Sequence, residues 1–228
     1  MSFSELNLRD IPCSRRFFKV ISTVTANLLD MAYLIFLFLM SPFLVLLIRR
    51  KSLWTKQNIL SWLGLAKTPE MVSPVLFHAV SFGEFRNISF IVERLNKPCV
   101  VLTPDQELLE YLMKNWVNRE RAVMLAPLDF SFAVRRILRK IHPALIVISE
   151  VDAWPNFLSE AAGSGVPLYF VNVRLSPGNS ILFRLFPLYR MLLNRAGVYA
   201  KDQKNRALLK KSGIACRGVV NFKLLSKT

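Results

Sequence analysis

The sequence predicts a doubly wound α/β domain, and three observations carry that reading. From Val75 onward short apolar runs alternate with longer stretches of helical period. The short runs are continuous in Val, Ile and Leu instead of alternating with polar residues, the pattern of strands covered on both faces. Their regular β-then-α order calls for right-handed crossovers, and those make the sheet parallel.

Before the alternation begins, residues 31–48 read MAYLIFLFLMSPFLVLLI, eighteen positions without a charge, followed by Arg49, Arg50 and Lys51. As a helix this run reaches about 27 Å, near the hydrocarbon thickness of a bilayer. A membrane-anchor helix is therefore expected over 29–51, behind a basic segment at 1–28. A span kinked at Pro42 and a hairpin bending at Ser41-Pro42 both satisfy the pattern. The cations at 49–51 place the following chain at the cytoplasmic face, with Arg9, Arg15, Arg16 and Lys19 as opposing charges on the other flank. A cleaved leader fits poorly, because the run starts late and ends in RRK.

Residues 52–73 read as an amphipathic linker helix over Ser52–Leu65, with Trp54 and Trp62 suited to a membrane interface, and then a proline-marked boundary. The globular unit is expected over 74–228. Its strands are Val75–Val80, Cys99–Leu102, Ala122–Leu125, Leu145–Ile148, Leu168–Val171 and Val198–Ala200. Its helices are Glu84–Leu95, Asp105–Trp116, Phe130–Ile141, Pro155–Ala162, Ser180–Leu193 and Lys204–Ser212. Gly163-Ser164-Gly165 reads as a helix C-cap and His142-Pro143 as a turn.

Composition narrows the partners. The 228 residues carry 31 Lys and Arg against 15 Asp and Glu, a formal charge of +16, with mean hydropathy +0.34. Collagen, low-complexity disorder and a disulfide-stapled miniprotein are excluded. The charge calls for a polyanionic surface, either an anionic membrane or a nucleic acid. A nucleic-acid role is set aside, since aromatic and basic residues are not interleaved as a base-stacking surface requires. Cys13, Cys99 and Cys216 stand at no metal-ligand spacing and suit a reducing compartment. No phosphate-binding glycine loop follows the first strand.

In a doubly wound sheet, ligands bind at the carboxyl ends of the strands. Three loops there carry chemistry. In Ser81-Phe82-Gly83-Glu84, a capping box would have Glu84 reach back to the Ser81 amide. The same geometry holds an ionised carboxylate at the positive end of a helix, able to take a proton from a substrate hydroxyl, and Gly83 admits close approach of a ligand. In Glu150-Val151-Asp152-Ala153-Trp154-Pro155-Asn156, Pro155 suits a first helical position and Asp152 a cap, while Glu150 has no evident structural duty. Asn172-Val173-Arg174-Leu175-Ser176 brings an arginine to the same rim, as a surface ion pair or as a substrate contact.

These residues resemble a family. His78-Ala79-Val80-Ser81-Phe82-Gly83-Glu84 looks like the HSVSVGE motif of the 3-deoxy-D-manno-octulosonic acid (Kdo) transferases. Glu150 through Asn156 is similar to their ETELWPN, and Asn172 through Ser176 to their NARLS. Gly218-Val219-Val220-Asn221-Phe222-Lys223 resembles their GNLKFD. Val151, Asp152 and Ala153 depart from the second motif, and Lys201-Asp202-Gln203 from a more acidic turn. Thr103-Pro104-Asp105-Gln106 replaces a Thr/Gly-rich segment, and forms a capping box of its own with Pro104 as the first helical residue.

The resemblance implies the Rossmann-like N-terminal half of a GT-B glycosyltransferase. Such enzymes transfer Kdo from CMP-Kdo to lipid A precursor at the cytoplasmic face of the bacterial inner membrane, with inversion and no cofactor. Carried over residue by residue, Glu84 matches the general base, Glu150 a second catalytic acid, and Arg174 a basic residue near acceptor or leaving group. Ser81, Gly83, Asn156, Asn172, Arg174 and Ser176 are expected to bind substrate, with no metal. The C-terminal donor domain is expected to be absent, so the chain supplies the acceptor half, either as a fragment or with a second polypeptide completing it, or is a non-catalytic acceptor-binding remnant. Lipid A precursor and the anionic membrane are the expected partners.

Overall fold

The structure, a computed structural model, describes residues 24, 27, 28, 30–35, 55–95, 97–151, 154–175 and 187–220. Seven strands form one sheet: β1 (Val75–His78), β2 (Cys99–Thr103), β3 (Arg121–Leu125), β4 (Leu145–Ser149), β5 (Leu168–Val173), β6 (Gly197–Ala200) and β7 (Gly218–Val219). Their order is β3-β2-β1-β4-β5-β6-β7, with every neighbouring pair parallel. The described helices are α1 (Lys56–Trp62), α2 (Phe82–Arg94), α3 (Gln106–Asn115), α4 (Ser131–Ile141), α5 (Pro155–Gly163), α6 (Pro187–Leu193) and α7 (Gln203–Lys211). The doubly wound parallel sheet is as expected. β7 is the addition, two residues long and too short to leave a hydrophobic run.

Burial on both faces follows from the strand sequences. In β1, Leu76 packs with Val100, Ile146 and Phe170 against Val134, Ile137, Phe157 and Leu193 of α4, α5 and α6. Its neighbour Phe77 packs with Val101 and Val147 against Ile88, Val92, Leu108 and Leu112 of α2 and α3. Successive side chains alternate between two apolar layers, so each strand must be apolar throughout.

The chain runs outward from β1 to β3, and α4 then carries it back to β4 on the other side of β1. The order therefore reverses between β1 and β4, which opens a crevice beyond their carboxyl ends.

Several helix starts differ from the capping expected. Thr103 is the last residue of β2 and Pro104 lies before the helix. Asp105 is the N-cap of α3, its Oδ1 accepting from Glu107 N at 2.9 Å and Leu108 N at 3.3 Å. The Thr103 hydroxyl instead accepts from Asp105 N at 3.2 Å. The expected Gly163-Ser164-Gly165 ending holds, with Ser164 as C-cap and Gly165 at φ +78°. His142, at φ +47°, closes α4 and donates its amide to Leu138 O at 3.0 Å.

Two segments expected to stand apart from the globular unit are bonded to it. Residues 30–35 are helical. Asp30 caps α4 from outside, its Oδ1 accepting from Ser131 N at 2.9 Å and its Oδ2 from the Ser131 hydroxyl. Phe130, at the N-cap position of α4, has no side chain able to cap it. Met31, Leu34 and Ile35 on the same short helix are each more than half exposed. The rest of the expected anchor, 36–51, and the basic segment short of residue 24 lie outside the described residues. No described helix is long and apolar enough to cross a membrane.

The linker helix is shorter than expected, at Lys56–Trp62, and α4 holds its C-terminal end. Arg136 Nη1 donates to Leu63 O at 2.8 Å, and Lys140 Nζ to Leu65 O and Ala66 O, both at 3.1 Å. Cations suit the carbonyls at a helix's negative end. Gly64 permits this docking: its φ is +68°, and a Cβ there would lie 2.4 Å from Ala133 O.

Candidate active site

Four strand ends build the site. After β1, Ser81 is extended and caps α2, its hydroxyl accepting from Glu84 N at 3.3 Å. Glu84 Oε2 accepts from Val80 N at 2.8 Å. The expected return bond was to the Ser81 amide, and the structure shifts it one residue upstream. Glu84 is thus fixed in the first turn of α2, across the strand-to-helix turn.

After β4, Glu150 takes φ +63°, and Asn172, the fifth residue of β5, takes φ +56°. Left-handed backbone at two residues other than glycine is costly, about 1–3 kcal/mol each, and such strain concentrates at functional sites. Adjacent strands bring the two together, since Ser149 is in register with Val171 and Glu150 N, one residue past β4, donates to Val171 O at 2.9 Å. The β5–β6 register also shifts between Phe170 and Val173.

The Glu150 carboxylate is enclosed by donors. Oε1 accepts from Arg174 Nη2 at 2.6 Å, Asn172 Nδ2 at 3.2 Å and Asn87 Nδ2 at 3.5 Å. Oε2 accepts from Arg174 Nη2 at 2.9 Å and Nε at 3.2 Å. The Glu150 side chain is 16% exposed and that of Arg174 54%, so the pair presents its cationic end to solvent. The hydrogen bonds that Arg174 donates to Glu150, then the Glu150 charge, raise the guanidinium pKa further, and Glu84 contributes in the same direction.

Ser81, Gly83, Glu84, Asn87, Glu150, Asn172, Arg174 and Lys201 line one cleft. A Cβ at Gly83 would meet only the Ser81 hydroxyl, at 3.8 Å, so the cleft is open above that residue. The crevice lies where the strand order reverses, with Glu84 on the β1 side and Glu150 on the β4 side. A carboxylate at a helix N-terminus faces a guanidinium here. That arrangement can accept a proton from a hydroxyl while a nearby cation holds negative charge.

Six of the expected site residues meet in this cleft: Ser81, Gly83, Glu84, Glu150, Asn172 and Arg174. Glu150 is surrounded by donors, so the geometry gives it the task of orienting Arg174.

Asn156 is elsewhere. It is fully buried, donating through Nδ2 to Asp30 Oδ1 at 2.9 Å and to Asp129 O at 2.6 Å. Asp129 caps α5, accepting from Asn156 N at 3.1 Å and Phe157 N at 2.8 Å. Asp129, in the loop between β3 and α4, supplies this cap, while the cap expected from Asp152 lies outside the described residues, as do Ala153 and Ser176.

Burial pushes Asp129 up to about 6, against the opposing hydrogen bonds from Phe157 and Asn156. Burial, then the Asp129 charge, push the Tyr33 hydroxyl, which donates to Asp129 Oδ2 at 3.3 Å, up to about 12.

Asn87 and Lys201 line the cleft unanticipated by the sequence. Asn87 is three residues beyond Glu84 on one helical face, a polar residue among Phe85, Ile88 and Ile91. Lys201 immediately follows β6, where the strand-end rule applies as much as at the three loops singled out.

Comparison with known proteins fits this geometry. The family model for 3-deoxy-D-manno-octulosonic-acid transferase (kdotransferase) matches residues 55–224, about three-quarters of the chain. A Chlamydia pneumoniae 3-deoxy-D-manno-octulosonic acid transferase is 30% identical over 48% of this chain and 26% of its own length. A probable mitochondrial 3-deoxy-D-manno-octulosonic acid transferase of Arabidopsis thaliana is 28% identical over 70% of this chain and 38% of its own. A Bordetella pertussis 3-deoxy-D-manno-octulosonic acid transferase is 32% identical over 50% and 28%. The chain thus spans well under half the length of these relatives. With that family model running through all three strand-end loops, from the Glu84 turn to Arg174, the chain belongs to the kdotransferase family.

Proposed function

We propose that this chain forms the acceptor-binding half of a glycosyltransferase that moves Kdo from CMP-Kdo to a lipid A precursor. The observation that carries the reading is the placement of Glu84, fixed at the head of α2 and lining one cleft with Glu150 and Arg174. In this role Glu84 takes the proton from the acceptor hydroxyl as the hydroxyl oxygen attacks the anomeric carbon of Kdo and CMP departs. Attack from the face opposite CMP inverts that centre. Arg174, held by Glu150, offers positive charge to the acceptor or the leaving group.

The reading extends to the inner membrane. The apolar residues Met31, Leu34 and Ile35 face outward while Asp30 and Tyr33 bind the domain, which suits a segment continuing into a bilayer at the cytoplasmic face. The +16 charge suits an anionic leaflet and a phosphorylated acceptor.

The test is transfer of labelled Kdo from CMP-Kdo to a tetra-acylated lipid A precursor. The full chain is assayed alone and with a second chain carrying the donor domain. Glu84→Gln keeps an oxygen able to accept from Val80 N, and it is expected to abolish transfer with the fold intact. Turnover retained in Glu84→Gln removes Glu84 as the base. Acceptor binding without transfer under every pairing favours the non-catalytic acceptor-binding role.

A further inference from the structure

Lys201 occupies a position in the cleft that no part of the reading above uses. Its amide donates to Val173 O at 3.0 Å, so the backbone at the end of β6 is tied to the residue immediately before Arg174. On the other side, Leu175 N donates to Asn205 Oδ1 at 2.8 Å, and Asp202 Oδ1 accepts from Asn205 N and Asn205 Nδ2, both at 2.8 Å. The Arg174 and Lys201 backbones are therefore held side by side by two independent anchors. Both residues line the same cleft.

The acids nearby have other duties. Asp202 caps α7, and Glu150 is taken up by Arg174 and two asparagines. Glu84 Oε2 bonds the Val80 amide. Among the described residues Lys201 makes no ion pair within 4.0 Å. The Arg174 guanidinium meets Glu150 through Nε and Nη2, which leaves the Nη1 edge turned away from that carboxylate.

We propose that Lys201 Nζ and the Nη1 edge of Arg174 together bind an anionic group, a phosphate or a carboxylate, of the molecule that occupies this cleft. Lys201 is then a residue that determines which acceptors or donors are held. A planar fork beside a compact ammonium suits a tetrahedral or planar oxyanion. The identity of the substrate rests on the function proposed above, whereas the anion site can be tested without any transfer.

The full chain, in a non-ionic detergent and with 15Nε-labelled arginine, is titrated with inorganic phosphate and separately with gluconate. The Arg174 Nε–H resonance gives the affinity. A saturable shift is expected with at least one of the anions, and whichever binds tighter identifies the group. Lys201→Met is expected to weaken it about tenfold, the scale of one lost charge-assisted hydrogen bond. Lys201→Arg should restore most of the affinity. An unchanged affinity in Lys201→Met, or no saturable shift with either anion, overturns the proposal. Anion binding that persists when no pairing transfers Kdo removes the enzymatic reading alone. Glu84-dependent transfer without Lys201-dependent anion binding removes this site alone.

Discussion

Asp30 Oδ1 accepts a hydrogen bond from Asn156 Nδ2 at 2.9 Å, joining residues 126 positions apart. The contact links the head of the apolar N-terminal run to the stretch that follows Glu150. Asp30 also caps α4, so its removal deprives Ser131 N of an acceptor and leaves Asn156 Nδ2 with Asp129 O alone. Loss of a cap and of a buried partner together cost about 2 kcal/mol. Asp30→Ala should lower the stability of the full chain by that amount in urea titration, and Asp30→Asn by less. A change below about 0.5 kcal/mol in Asp30→Ala, the range of ordinary surface substitutions, would show that the contact is not energetically coupled to the fold.

The pH dependence of stability contains two opposed contributions. Burial pushes His78, packed between Phe157 and Trp154, down to about 4 from an ordinary value of 6.5. The unfolded chain then binds the extra proton between those values, so this contribution weakens as pH falls from about 6.5 to 4. Asp129 behaves oppositely. Its carboxyl, pushed from 3.8 up to about 6, binds its proton more tightly in the folded chain, so its contribution falls as pH rises through that window. At about 1.4 kcal/mol per pH unit, each is worth at most about 3–3.5 kcal/mol. The stability of wild type relative to Asp129→Asn should therefore decline from pH 4 to pH 7, and relative to His78→Leu it should rise. Differences that stay constant across that range would refute the assignment.

Gly64 carries a sharper steric prediction. Alanine there meets both a left-handed φ and a Cβ position 2.4 Å from Ala133 O, a backbone atom that cannot rotate away. Gly64→Ala should destabilise by about 1–3 kcal/mol, with the Lys56–Trp62 helix exchanging its amide hydrogens faster than the sheet. Equal exchange protection in the variant would mean that α1 can shift on α4 at no cost.

The sheet was legible because its strands are buried on both faces, and that demands unbroken runs such as Leu145–Ile148. The three loops were legible for a related reason, since sheet geometry confines ligands to strand ends. Contacts across sequence were not. Nothing local shows that Asp129, in a turn between β3 and α4, caps α5, or that Asn156 is consumed in binding it. Asn156 sits in a motif with Glu150, yet α5 turns it into the protein while Glu150 faces the cleft. The left-handed conformation at Glu150 and Asn172 was equally hidden, because neither residue type requires it. Lys201 was within reach, since it ends a strand as surely as Glu150 does.

Glu150 and Arg174 should behave as one unit. Arg174→Lys keeps the charge but cannot reproduce the paired Nε and Nη2 bonds to a single carboxylate. Glu150→Gln keeps the shape but removes the charge that orients the guanidinium. If the function proposed above holds, each change should reduce transfer by about 10- to 100-fold, the range found when a supporting partner of a catalytic group is lost. Because the two act through the same contact, the double variant should lose scarcely more than either single one. The measurement is a double-mutant cycle on the transfer rate, with folding of each variant verified by urea titration. Losses that multiply in the double variant would mean that Glu150 meets the substrate on its own account, as a catalytic acid and not as the support of Arg174.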